Sequence, residues 1–324
     1  MKITIVGFGN IAHALISYIG SKENIKISVL TSSKIETNSI SLSDNSSKGF
    51  IQTISHQPSE VISDSDLIFL TTPSHVRFEA IKKIAPFVSQ STIIGAFPGI
   101  GGFYDEIQKI FGNNRTVFAS QRVPYIARVV ERGKEVNATP KKSISIAINH
   151  NQAYIQELLS GLLNMDVDLL DSFMEVHLTN SNPILHSARL FSLYNEYYPL
   201  SKEVLFYKEW DDDASKVLLL MDEEFMNLIK KLGLKNISSL KKHYEVQNYQ
   251  QMTQKLRSIE AFKSIKTPLI KVDNKYIFDV NSRYFQEDIN HDLLYIIKTA
   301  NKNLVQLPTI NRVYKKLSRL MDNK

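Results

Sequence analysis

The strongest constraint on the fold is a glycine-rich turn, Gly7-Phe8-Gly9-Asn10-Ile11-Ala12, which directly follows a short apolar segment and opens an amphipathic one. The first glycine permits a tight turn, the second lets backbone N–H groups approach a pyrophosphate, and the small Ala12 allows the following helix to pack closely on the strand. The same spacing also occurs in turns that only permit tight packing. Its position between a strand and a helix indicates a dinucleotide site that includes Gly7, Gly9, Asn10, Ile11 and Ala12.

The order of the remaining segments predicts an α/β protein of two domains. Up to about residue 150, short apolar runs alternate with amphipathic stretches, which is typical of βαβ units and a parallel sheet. Residues 32–48, rich in Ser, Thr and Asn, are expected to form a loop. Later segments have helical spacing. We therefore expect a Rossmann-type parallel-sheet domain over residues 1–172 and a mainly α-helical domain over residues 173–324.

Composition excludes several other classes of protein. The 324 residues include no cysteine, which excludes a disulfide scaffold, a thiol nucleophile and cysteine-ligated zinc or iron–sulfur centres. The net charge of +6 is spread along the chain, so nucleic acid is not an expected partner, although a basic protein suits small anionic substrates. No H-E-x-x-H motif occurs, and no metal is expected. With neither a signal sequence nor an apolar run of about 18 residues, we expect a cytoplasmic protein without a membrane span.

The end of the second predicted strand indicates which nucleotide is bound. An NAD site usually has an Asp or Glu about 20 residues beyond the glycines, bonded to the ribose 2′-hydroxyl. This chain has Ser32, Ser33 and Lys34 instead, whose hydroxyls and cation suit a 2′-phosphate, so NADP(H) is preferred over NAD(H). The alternative is that Lys34 is an ordinary exposed loop lysine. Thr72 and Pro73, just after the strand expected at residues 67–70, complete the candidate cofactor-binding residues.

Further segments, in the same order along the chain, are similar to the opine dehydrogenase family of the octopine and nopaline type. One is Pro124-Tyr125-Ile126-Ala127-Arg128; another, Asn180-Ser181-Asn182-Pro183-Ile184-Leu185-His186, resembles the motif that carries the family's catalytic histidine. Arg283-Tyr284-Phe285-Gln286-Glu287-Asp288-Ile289 resembles the segment that holds the partner aspartate. Together with the glycine turn, these segments span most of the chain. The chain departs from the family at Ser187, where proline is common.

The resemblance implies NAD(P)H-dependent reductive condensation of an amino acid's amine with a 2-oxo acid such as pyruvate, through an imine. It also implies that His186 is the general acid and base and that Asp288 orients it. An imidazole exchanges protons near neutral pH, and a carboxylate on its other nitrogen fixes the tautomer. Since 102 residues separate the two positions, their pairing follows from the resemblance and not from the spacing.

Four other residues are candidates for substrate binding. Arg283 has the planar fork that binds a carboxylate, and a surface or interdomain salt bridge is its alternative role. Asn182 either holds His186 or substrate, or caps the helix ahead of Pro183. Tyr125 and Arg128 either line the cleft between the domains or are structural. His291, three residues after Asp288, is a rival acid–base group.

Two further readings of the sequence remain open. The first is a reductase similar to ketopantoate reductase, a family that relies on a lysine early in its helical domain; this chain has none between Lys142 and Lys202. The second is a non-catalytic protein that senses NADP(H), for which His186, Asp288 and Arg283 would have no use. In each case the expected partners are small molecules, and apolar helices of the C-terminal half suit a homodimer.

Overall fold

The chain folds into two compact units. The computed structural model describes residues 1–179 and 181–322, with the backbone alone described at 196 and 197. Unit 1 is Met1–Thr179 and unit 2 is Asn180–Lys324. The division follows residue 179 and not residue 172, the boundary expected from the sequence, because the short helix Phe173–His177 packs against strands of unit 1.

Two sheets make up the framework of unit 1. Its strands are β1 Lys2–Val6, β2 Lys26–Leu30, β3 Ser39–Leu42, β4 Lys48–Phe50, β5 Thr53–Ser55, β6 Leu67–Leu70, β7 Ile93–Ala96, β8 Val117–Ser120, β9 Tyr125–Glu131, β10 Glu135–Pro140, β11 Ser143–Ile148 and β12 Asp166–Leu169. The larger sheet has the order β12-β11-β8-β7-β6-β1-β2-β5, and the smaller has the order β4-β3-β10-β9. Neighbours in the larger sheet are parallel, apart from β11 and β8.

Helices cover both faces of the larger sheet, which is why the central strand β6 is apolar and buried at each of its four positions. They are α1 Asn10–Ile19, α2 Pro58–Val61, α3 Ser74–Ile84, α4 Phe103–Phe111, α5 Gln152–Leu163 and α6 Phe173–His177, with a 3₁₀ turn at Ala85–Phe87. Successive residues of β6 point to opposite faces. Leu67 and Phe69 join the core that includes α1 and α5, whereas Ile68 and Leu70 join the core that includes α3 and α4.

The smaller sheet shows that the prediction of a loop over residues 32–48 was wrong. Strand β3 lies inside this segment, and β4 begins at its last residue. Ile40 and Leu42, at alternating positions of β3, are buried in the core shared with α1. At Gly49 of β4 the backbones approach so closely that a Cβ atom would lie 1.7 Å from the carbonyl oxygen of Ile16. Two apolar side chains among Ser, Thr and Asn are too few to give a strand pattern.

Unit 2 is mainly α-helical. Its helices are α7 Asn182–Tyr197, α8 Asp212–Lys231, α9 Leu240–Tyr244, α10 Tyr249–Ser258, α11 Leu294–Lys302 and α12 Pro308–Asp322, with a 3₁₀ turn at Glu260–Phe262. A hairpin of β13 Leu269–Val272 and β14 Lys275–Phe278 precedes a π-helical segment, Tyr284–Leu293, which continues into α11. Helix α7 packs against α8, α12 and the π-helical segment. The expected fold class, a parallel-sheet domain followed by a helical one, is confirmed.

Within the two described ranges, none of the helices combines the length and the hydrophobicity that a bilayer span requires.

Candidate active site

The glycine turn forms the junction between β1 and α1. Gly7 has φ +107°, and a Cβ atom there would lie 2.8 Å from Oγ1 of Thr71, so both the backbone and the packing require glycine. Gly9 differs, because its φ of −99° suits any residue and nothing lies within 4 Å of a Cβ atom. Glycine at position 9 therefore keeps space open in front of the amino terminus of α1. Such a space fits a pyrophosphate.

A cavity of about 320 Å³ adjoins this turn at the carboxyl ends of β1, β2 and β6. This edge of a parallel sheet is where open α/β folds bind ligands. The hydroxyl of Thr72 there is buried and makes no hydrogen bond within the described residues, which leaves it available to a ligand. The lining residues are Val6, Gly7, Phe8, Gly9, Leu30, Thr31, Ser32, Ser33, His56, Thr72, Ala80, Lys83 and Arg132.

The other candidate cofactor residues lie around this cavity without lining it. Asn10 accepts a hydrogen bond from the backbone N–H of Val129 through Oδ1, at 2.8 Å, and so ties α1 to β9. Ile11 and Ala12 pack in the core of unit 1. Lys34 is exposed, and Pro73 is the exposed residue that precedes α3.

Arg132, Lys83 and His56 line the cavity although the sequence did not single them out. Arg132 belongs to the turn between β9 and β10, and its Nη2 donates to Oγ of Ser33 at 2.5 Å. These two residues are 99 positions apart, so no local motif joins them. The lining residues include no carboxylate and two cations, Lys83 and Arg132.

In unit 2, α7 and the π-helical segment bring His186 and Asp288 together. His186 Nδ1 lies 2.8 Å from Asp288 Oδ2, and both residues are buried. Because a carboxylate accepts, Nδ1 carries the proton and Nε2 is left with its lone pair. The second carboxylate oxygen, Oδ1 of Asp288, is buried and has no hydrogen-bond partner within the described residues. Within the described residues, the imidazole is therefore the hydrogen-bond partner of the Asp288 carboxylate.

Tyr207 completes this group, although it was not among the site residues predicted from the sequence. Its hydroxyl lies 3.0 Å from Nε2 of His186, so each ring nitrogen has a partner. Burial raises the pKa of the Tyr207 hydroxyl, which keeps it protonated and able to donate. The rings of Phe206 and Tyr284 lie 5.5 Å and 4.4 Å from the imidazole, and the ring of Tyr207 stacks on that of Trp210. The result is a buried Asp–His–Tyr chain inside an aromatic shell.

Of the remaining candidates of unit 2, Arg283 is close enough to Asp288 to interact with its charge. Arg283 is 65% exposed and forms an ion pair through Nε with Glu287, one helical turn away. Asn182 is the half-buried first residue of α7, and Ser181 occupies the N-cap position. His291 Nδ1 lies 2.9 Å from Oδ1 of its neighbour Asp292, a different carboxylate from Asp288.

Tyr125 and Arg128 lie on β9 of unit 1. Tyr125 is fully buried, and its ring stacks on that of Tyr18 at 4.8 Å. Arg128 is exposed, and its Nη1 donates to the carbonyl oxygen of Ala127 at 3.4 Å. In the part of the chain that the structure describes, no three His, Asp or Glu side chains are grouped to hold a metal ion.

Two known protein families match different parts of this chain. Residues 169–321 match the family described as NAD/NADP octopine/nopaline dehydrogenase, alpha-helical domain, and residues 2–97 match the family described as NADP oxidoreductase coenzyme F420-dependent. Tauropine dehydrogenase of Arabella iricolor is 23% identical, over 98% of this chain and 91% of that protein.

Solved structures share the fold. Octopine dehydrogenase with NADH and L-arginine superposes with a TM-score of 0.83 at 19% identity, over 99% of this chain and 90% of that chain. A PanE/ApbA family ketopantoate reductase from Ralstonia eutropha gives 0.68 at 12% identity, over 99% of both chains. The matched families indicate an NAD(P)-dependent oxidoreductase. The chain is similar to tauropine and octopine dehydrogenases over nearly its whole length, and its helical unit matches the octopine/nopaline dehydrogenase family.

Proposed function

We propose that this chain condenses the amine of an amino acid with a pyruvate-like 2-oxo acid and reduces the resulting imine with NADPH. The observation that carries the proposal is the buried hydrogen-bonded pair of His186 and Asp288, inside the domain that matches the family. L-Arginine and pyruvate are the compounds named in complexes of octopine dehydrogenase with NADH. We extend to this chain the two classes of compound, an amino acid and a 2-oxo acid, and not the individual molecules.

The chemistry that we propose needs one group to exchange protons. Formation of an imine requires a general acid to expel water, and reduction then requires a hydride, which the reduced nicotinamide supplies when it is bound. His186 holds its Nδ1 proton against Asp288 and exchanges a proton at Nε2. Asp288 stabilises the imidazolium that forms when Nε2 is protonated, since its charge is buried and lies beside Nδ1 of the ring. Tyr207 holds the ring in position through its contact with Nε2.

The preference for NADPH rests on the charge of the cavity in unit 1. A carboxylate at the end of β2 would select the ribose 2′-hydroxyl of NAD, and the cavity lining has none. Its hydroxyls and its two cations, Lys83 and Arg132, suit a 2′-phosphate. We also propose four residues for substrate binding, and the structural role described above is the alternative for each: Arg283, Asn182, Tyr125 and Arg128.

The consumption of NADPH by the purified protein tests the proposal. We expect NADPH absorbance to fall when a 2-oxo acid and an amino acid are supplied together, and not with either alone. Turnover with the 2-oxo acid alone would show simple carbonyl reduction, as in a ketopantoate reductase. No turnover across a panel of amino acids and 2-oxo acids would indicate an NADP(H)-sensing protein.

The ketopantoate-reductase alternative is weaker than opine-type condensation. It shares the fold, but the helical domain matches the octopine/nopaline family. The lysine on which ketopantoate reductases rely has no counterpart between Lys142 and Lys202. In place of that lysine, the group that we propose for proton exchange in unit 2 is the imidazole of His186.

A further inference from the structure

The turn between β9 and β10, residues 131–134, is fastened to the glycine turn by one histidine. His13 of α1 is fully buried, and its Nε2 accepts a hydrogen bond from the backbone N–H of Gly133 at 2.9 Å. The proton of the ring is therefore on Nδ1, which donates to the carbonyl oxygen of Gly9, also at 2.9 Å. Burial lowers the pKa of His13 and keeps the ring neutral, as this pair of bonds requires.

The same turn is pressed against the loop that follows β2. Gly133 has φ +80°, and a Cβ atom there would lie 2.9 Å from Cγ2 of Ile35, so a larger residue would push the turn away. Next to it, Arg132 donates to Ser33. Arg132 makes no ion pair with any described residue, whereas Lys134 on the other side of Gly133 pairs with Glu131 at 2.5 Å. The turn thus carries one uncompensated cation, and this cation lines the cofactor cavity.

We propose that Arg132 and Ser33 recognise the 2′-phosphate of NADP(H), and that His13 is a positioning residue that holds Arg132 at the cavity. This inference rests on the cofactor preference in the proposed function and assigns it to residues. A guanidinium donates several hydrogen bonds to phosphate oxygens, and the Ser33 hydroxyl, while it accepts from Arg132, keeps its own proton to donate. Lys34, the cation expected for this role, is exposed and outside the cavity lining.

Direct binding measurements with Arg132→Gln test the role of the arginine. By titration calorimetry we expect NADP⁺ and 2′,5′-ADP to bind at least about tenfold more weakly than to the wild type, because a charged hydrogen bond is lost. NAD⁺ and 5′-AMP should bind as before. Lys134→Gln, two residues away, is the matched control and should leave all four affinities unchanged, whereas Lys34→Gln tests the competing assignment. Equal weakening of NADP⁺ and NAD⁺, or a larger effect from Lys34→Gln, would overturn the assignment.

Two substitutions separate the bonds of His13. In His13→Asn the side-chain amide reaches the position of Nδ1 and can still donate to Gly9, but the acceptor for Gly133 is gone. In His13→Gln the longer side chain restores an acceptor near the position of Nε2. We expect His13→Asn to reduce the ratio of NADP⁺ to NAD⁺ affinity at least about fivefold, and His13→Gln to restore most of it. In an Arg132→Gln background, His13→Asn should not change the ratio further.

A merely structural histidine would behave differently. Both His13 variants would then lower the melting temperature and weaken NADP⁺ and NAD⁺ equally, with the affinity ratio unchanged. Because binding is measured without turnover, failure to condense an amine with a 2-oxo acid would not affect this test. If the wild type binds NADP⁺ and NAD⁺ equally, the role of Arg132 is refuted, while opine formation with NADH remains possible.

Discussion

At the scale of the residue, the imidazole of His186 is held at both nitrogens, by a carboxylate and by a phenol. We expect His186→Ala to reduce kcat by about 10²- to 10⁴-fold, because the proton-exchanging group is lost. His186→Asn should be equally inactive, yet it keeps a donor near Nδ1 for Asp288. NADPH affinity and melting temperature of the Asn variant should match the wild type. Loss of folding or of cofactor binding in that variant would instead identify a structural histidine.

The contact between the Tyr207 hydroxyl and His186 leads to a second prediction about a single residue. Tyr207→Phe keeps the ring that stacks on Trp210 and removes only the hydroxyl at Nε2. We expect kcat to fall about tenfold, the effect of one hydrogen bond, with unchanged affinity for NADPH. Tyr284→Phe is the control, since the ring of Tyr284 also lies beside the imidazole, whereas the hydrogen bonds of the imidazole go to Asp288 and Tyr207. Equal kinetics for the Tyr207→Phe variant and the wild type would refute a positioning role.

At the scale of the element, the amino terminus of α1 is built around an empty space at Gly9. Gly9→Ala should fold normally, because its φ is ordinary and a Cβ atom would contact nothing. We expect NADPH affinity to fall roughly tenfold, since the methyl group would enter the space meant for the pyrophosphate. Gly161→Ala in α5, where a Cβ atom also meets nothing, is the matched control. Unchanged affinity in the Gly9 variant would place the cofactor elsewhere.

A side chain of α8 contacts the first residue of α9. Both carboxylate oxygens of Asp222 accept a hydrogen bond from the backbone N–H of Leu240, with N–O distances of 3.1 Å to Oδ1 and 2.9 Å to Oδ2. Burial raises the pKa of Asp222 from 3.8 to about 6. The folded protein therefore holds the Asp222 proton more tightly than the unfolded chain does. This contribution to the free energy of unfolding is fully present below pH 3.8, the ordinary pKa, and is lost as the pH rises through about 6.

Asp222→Asn therefore removes this pH dependence and keeps an acceptor for Leu240. Relative to the wild type, we expect its free energy of unfolding to improve by up to about 3 kcal/mol between pH 4 and pH 7. Urea unfolding at the two pH values measures the difference. Glu223→Gln, at the exposed neighbouring position, should show no such change. A parallel pH dependence for Asp222→Asn and the wild type would contradict the expectation.

Local patterns predicted some elements and missed others for physical reasons. The spacing of apolar residues correctly predicted four elements, because each of them is buried through its own apolar side chains: α1, β1, β2 and β6. Strand β3 was missed because it is defined by long-range pairing with β10 and by only two buried side chains. In the candidate site, the family motif led to His186 and Asp288. Neither Arg132 nor Tyr207 was predicted as a site residue, since each meets its partner only through the fold.

At the scale of the whole molecule, the two units carry buried groups that respond to pH in opposite directions. In unit 1, burial lowers the pKa of His177 to about 3, from 6.5. The unfolded chain therefore binds a proton that the folded unit excludes, and stability falls as the pH drops from about 6.5 toward 3. The lowered pKa of His13 acts in the same direction. In unit 2, the raised pKa of Asp222 acts in the opposite direction.

Acidification should consequently weaken unit 1 before unit 2. Each such histidine contributes a slope of about 1.4 kcal/mol per pH unit between its folded and unfolded pKa values. We expect hydrogen exchange between pH 7 and pH 5, corrected for its intrinsic pH dependence, to show loss of protection in β1, β6 and α1 with little change in α7 and α8. Uniform loss of protection in both units would show that other groups control acid unfolding.

Trp210 gives the protein a built-in optical reporter. It is the single tryptophan of the sequence, and its ring lies 5.9 Å from that of Tyr207, whose hydroxyl touches His186. Indole emission is therefore sensitive to events one side chain away from the imidazole. Rapid mixing with an amino acid or a 2-oxo acid can follow the arrival of each reactant in native protein, without any attached dye.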